Sequence, residues 1–159
     1  MMKKLILFLL LFIMIISSTS YAQERADREG RQKRTAAFST ATIVTENRTT
    51  IKTLADEVRV KTNLSKQRIK VLLERKDELS TEQLKILKNS IVLIKETQEA
   101  MKTTMGQINA YNNDILAARQ AKDFDTLLIL YRQIIKIQNI RINQLTRYNQ
   151  ILDTLLNTL

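Results

Sequence analysis

The sequence has 159 residues and a formal net charge of +10, enough for one domain. It contains no cysteine, histidine, proline or tryptophan and only two glycines, Gly30 and Gly106. That excludes disulfides, removes the usual catalytic base, nucleophile and soft metal ligands, and disfavours β architectures, whose tight turns draw on Gly and Pro.

Residues 1–22 read as a cleaved signal peptide. Lys3 and Lys4 precede the apolar run Leu5–Ile16, which is too short for an ordinary membrane span of about 20 residues. Ser20 and Ala22 place small residues where signal peptidase reads them, so cleavage is expected after Ala22. The competing reading is an uncleaved anchor. Loss of Lys3 and Lys4 lowers the charge from +10 to +8, so the mature chain stays strongly basic. Residues 23–34, QERADREGRQKR, lack large apolar side chains and read as a disordered or frayed arm. Five bases against three acids leave this arm only mildly basic, and a nucleic-acid partner is not expected.

Residues 35–159 read as three helices, over about 35–78, 81–118 and 124–157. The first has a three-four seam of Ala37, Ala41, Val44, Arg48, Ile51, Ala55, Val58, Thr62, Ser65, Ile69 and Leu72, thin in apolar area. Ser80 caps the second helix, with Gln83 as its capping-box partner. The second seam is Leu84, Leu87, Ile91, Ile94, Met101, Met105, Ile108 and Ile115, with the amides Gln98 and Asn112 in its gaps. Asp123 or Asp125 caps the third helix and places negative charge at its positive end. The joins are short, so successive helices are antiparallel. The fold class is all-α: an elongated antiparallel three-helix bundle, or a coiled-coil hairpin with a detached first helix.

Two surfaces stand out. Lys52, Arg59 and Lys66 recur every seven residues, as do Lys61, Arg68 and Arg75, and Lys88, Lys95 and Lys102. They flank the seams, and residues 48–76 carry nine bases against three acids. These rows either lay long stems over the core edge with their heads in water, or form a surface for an anionic polymer or membrane. The third helix is too apolar for one partner face, because Leu128, Ile135 and Ile142 form a second series and Leu130, Ile137 and Ile151 extend the other flank. It either meets a second copy or a partner protein, or sits centrally and is covered from both sides.

Catalytic, metal and cofactor sites are not expected. Asp123 and Asp125 lack the further acids and the glycine of a calcium loop, and no phosphate-cradling Gly motif occurs. Tyr111, Tyr131 and Tyr148 lie at or beside apolar helical positions and read as core.

Leu79-Ser80-x-x-Gln83 resembles the LTxxQ motif of the Spy-type periplasmic chaperones, with Ser for Thr; a capping box accounts for the same residues. That resemblance implies a small, exported, helical holdase with a basic surface. Size, signal and charge are also similar to the Skp-type chaperones, whose strands have no counterpart here, and to three-helix minor pilus components of type IV secretion systems. The expectation is therefore a non-enzymatic protein of the bacterial envelope or exterior, periplasmic or extracellular, acting through protein–protein interaction or as an assembly component. The alternatives are a periplasmic holdase and a binder of anionic membrane or wall polymer.

Overall fold

The structure, a computed structural model, describes the backbone of residues 2–74 and 79–158, and the side chains of these from residue 24 onward except Leu73. The described residues are helical apart from short turns, and contain no strand. In chain order they are α1 (Met2–Glu74), α2 (Thr81–Lys102), a 3-10 helix (Gln107–Tyr111), α3 (Asn112–Gln120) and α4 (Phe124–Thr158). Among the described residues no helix is long and apolar enough to cross a membrane. The signal peptide and the cleavage after Ala22 fall on side chains outside the described residues.

Helix α4 is the common partner. α1, α2, α3 and the 3-10 helix all pack on it, whereas α1 and α2 barely approach each other. α1 and α4 run parallel, and their bonds keep a constant register of 92 residues: Lys33 with Asp125, Asn47 with Asn139, Glu57 with Asn149. α2 runs antiparallel to α4, pairing Gln83 with Thr158, Gln98 with Tyr148 and Met101 with Arg141.

Two clusters make the core. The lower one holds Val58, Leu145, Tyr148 and Leu152, with Ile51, Leu54, Ile94 and Met101 against them. The upper one holds Ala37, Ala118, Leu127, Tyr131 and Ile134. The expected seam of α1 runs through both, at Ala37, Ala41, Val44, Ile51, Val58 and Ser65.

Four expectations change. First, residues 24–34 continue α1 as helix, and Glu24–Arg28 and Arg25–Glu29 pair at i,i+4 along their exposed surface. Second, the helix foreseen over 81–118 breaks after Lys102. Gly106 takes a left-handed φ of 76°, and the end of α2 is closed by α4 instead: Arg141 donates to the Met101 carbonyl at 2.9 Å and Gln144 to that of Ala100 at 2.9 Å.

Third, α2 is rotated by one residue from its most apolar seam. The face on the bundle is Gln83, Leu87, Ser90, Ile94, Thr97, Met101 and Thr104. Leu84, Ile91 and Met105 are 45%, 50% and 71% exposed. Small Ser90 and Thr97 are buried on this face, Ile94 and Met101 pack against the cluster of Leu145 and Tyr148, and the bonds from Arg141 and Gln144 hold that rotation. Gln98 and Asn112 are accordingly exposed rather than interior. The interior amides are Gln138 and Asn149, which donate to the Val44 carbonyl at 2.9 Å and the Glu57 carboxylate at 2.6 Å.

Fourth, α4 is covered from within the chain. Leu130 and Ile151 are buried, and Leu128, Ile135, Ile137 and Ile142 are half-buried. Within the chain those six residues are therefore buried or half-buried, in keeping with the alternative of a central α4 covered from both sides. The large exposed apolar residues of α4 are Ile129 and Ile140.

Both caps foreseen at the helix starts are present. Ser80 Oγ accepts from the Gln83 N–H at 3.1 Å, and Gln83 Oε1 accepts from the Ser80 N–H at 3.0 Å. Asp123 caps α4, accepting from the backbone N–H and the hydroxyl of Thr126 at 3.0 and 2.7 Å. Asp125 pairs with Lys33 instead.

Candidate functional site

The basic rows divide in two. Lys52, Arg59 and Lys66 on α1, and Lys88 and Lys95 on α2, are exposed, and among the described residues none of them forms an ion pair. Lys102 pairs with Glu99 within α2. Lys61 and Arg68 belong to the α1–α4 junction: Lys61 Nζ meets Asp153 at 2.6 Å, and Arg68 donates to the Leu156 carbonyl at 2.6 Å, near the negative end of α4. Arg75 lies outside the described residues.

The one-residue rotation of α2 turns its lysine row into part of a composite surface. Reading along one side of the helix gives Leu84, Lys88, Ile91, Lys95, Gln98, Lys102 and Met105, each in steps of four and three. All seven are exposed. Of these, Gln98 is tied back, donating from Nε2 to the Tyr148 hydroxyl at 2.7 Å. From Leu84 to Lys102 the stripe runs about 27 Å of helix at 1.5 Å per residue, and Met105 stands in the turn just beyond its end.

A second site forms where α3 turns into α4. A cavity of about 670 Å³ is lined from α1 by Arg34, Ala37, Phe38 and Ala41 and from α3 by Arg119. The turn supplies Lys122, and α4 supplies Phe124, Leu127 and Tyr131. The space exists because the thin end of the α1 seam offers alanines where α4 offers large side chains. Arg119 is held by Tyr131, donating from Nε and a terminal nitrogen to the phenol oxygen at 3.1 and 2.8 Å, with its guanidinium 5.9 Å from the ring centre. Arg34 lies 5.6 Å from the ring centre of exposed Phe38. A neighbouring cleft of about 820 Å³ shares Ala41, Arg119 and Tyr131 with the cavity and continues past Val44, Ile115 and Ile134.

The acids at this end are already engaged. The Thr126 hydroxyl, then its backbone N–H, hold the Asp123 carboxyl below the ordinary aspartate range. The Asp125 carboxylate, by hydrogen bond and charge, holds the Lys33 ammonium above the ordinary lysine range. Elsewhere, burial pushes the Arg141 guanidinium down from its ordinary value. Among the described residues no group of three or more acidic side chains gathers as a metal site would require.

Neither site follows from periodicity alone. The α2 stripe needs the rotation, and the cavity gathers residues 34, 119 and 122 from three elements. The visible hint was Lys122, a lysine standing between the short α3 and the capping Asp123.

Comparison with protein-family models, with curated proteins and with solved structures returns no match.

Proposed function

We propose that this is an exported, non-enzymatic interaction protein of the bacterial envelope or exterior, which docks an acidic amphipathic helix of a partner protein along α2. The observation that carries this reading is the exposed stripe Leu84, Lys88, Ile91, Lys95, Lys102 and Met105. Its period is that of a coiled-coil contact, and apolar positions alternating with lysine suit a helix that alternates apolar and acidic residues. A second copy is a poor occupant, because it would bring two lysine rows of a strongly basic chain together. α4 favours docking less, because most of its large apolar side chains are covered within the chain. The basic rows that the holdase reading drew on are partly structural, and the Leu79–Gln83 signature serves as a capping box whose Gln83 also donates to the Thr158 carbonyl at 3.2 Å.

A photo-reactive residue at Ile91, introduced in the native host, should give one discrete protein adduct. That adduct should vanish when Lys88, Lys95 and Lys102 are all changed to Glu. Adducts with lipid alone, or binding to anionic vesicles that the triple change abolishes, would replace the protein partner by a membrane surface.

A further inference from the structure

We infer that the cavity between α1, α3 and α4 is a binding site for a single-chain amphipathic anion, of which a fatty carboxylate is the simplest form. Three positive side chains, Arg34, Arg119 and Lys122, line an apolar interior; at the same end Asp125 is paired with Lys33, and Asp123, still charged while it accepts from Thr126, offsets only one of the three. The rim is therefore a net attractor for one negative head group. Cavities of several hundred Å³ with apolar walls and a few convergent polar groups are the usual form of small-molecule sites. The adjacent cleft, which shares Ala41, Arg119 and Tyr131 with the cavity, has an apolar wall at Val44, Ile115 and Ile134 along which a linear tail can extend beyond it.

A second, independent observation concerns the backbone of Lys122. It is the one non-glycine residue with positive φ, at 55°, among the described residues. It stands just past the end of α3, where the Asp123 N–H reaches the Ala118 carbonyl at 2.9 Å and the Lys122 N–H that of Arg119 at 3.2 Å. That closure favours glycine, because a side chain is strained in the left-handed region. Strain of this kind gathers at ligand clamps, and here it places an ammonium at the cavity mouth. Arg119 is likewise preset by two bonds to one phenol rather than by a carboxylate, which leaves its charge uncompensated.

The test is a nuclear magnetic resonance titration of the full chain with decanoate below its micellar concentration, beside acetate and decyltrimethylammonium. Decanoate should shift the amides of Ala41, Lys122 and Leu127 together with one dissociation constant. Acetate and the cation should leave them in place. Arg34→Gln and Lys122→Gly should each weaken decanoate by about five- to tenfold, the loss of one charge-assisted contact. Lys122→Gly should at the same time raise the melting temperature, so its weaker binding cannot be read as unfolding. Equal shifts with acetate, or equal affinity for the cation, would overturn the inference. So would unchanged decanoate affinity in both variants.

Discussion

At the scale of single residues, the buried amide of Gln138 shows how little a polar core residue need contribute. Its Nε2 donates to the Val44 carbonyl, an atom already inside the hydrogen-bond ladder of α1, while among the described residues its oxygen meets no donor. Gln138→Leu therefore orphans no partner and removes a half-satisfied buried group. The variant should melt a few degrees higher, by thermal unfolding followed by circular dichroism. A clear loss of stability would show that the amide holds the α1–α4 register. Asp123 makes the opposite case. Its folded carboxyl titrates below the unfolded one, held down by Thr126. The associated stability is present above the unfolded value and is lost as pH falls through the folded one. Melting temperature should thus drop below about pH 4, and Asp123→Asn should flatten that acid limb.

At the scale of elements, the end of α2 is made by another helix. Arg141 on α4 places a half-buried cation against the negative end of α2 and donates to the Met101 carbonyl. Arg141→Met should cost about 1–2 kcal/mol, read from the denaturant midpoint, through lost end-charge and carbonyl contacts. Arg141→Lys should recover part of it. This element also marks where legibility in the sequence stopped. The α1 seam, the Ser80 capping box and the start of α4 were all readable, because each depends on neighbours three or four residues away. The rotation of α2 was not. Counting apolar residues prefers Leu84, Ile91 and Met105 over Ser90 and Thr97. What reverses the choice is close approach to Tyr148 and a bond from Arg141, about 40–50 residues distant in sequence. The cavity was hidden for the same reason, since Arg34 meets Arg119 and Lys122 only through the three-dimensional fold.

At the scale of the whole molecule, α1 outruns its partner. The 92-residue register sets Phe124, the first residue of α4, level with residue 32, so among the described residues the part of α1 before that point lies beyond the start of α4. If processing follows Ala22, about ten residues of unsupported helix remain, shorter than isolated helices tolerate in water. Amide hydrogen exchange should find them unprotected in the mature protein, with protection rising sharply from Ala37 onward; slow exchange at Arg25–Arg31 would mean that something else covers them. Because every other helix leans on α4, α1 and α2 have no core to share before it arrives. Three of the most deeply enclosed side chains, Leu145, Leu152 and Leu155, lie in its second half. Emergence from the ribosome therefore sets the clock. Until Phe124–Thr158 has cleared the exit, the preceding segments stay threadable, and a chain halted at residue 121 should give a coil-like circular dichroism spectrum. A chain built this way cannot fold piecemeal from its start: its first helices wait for its last one, whatever route delivers it.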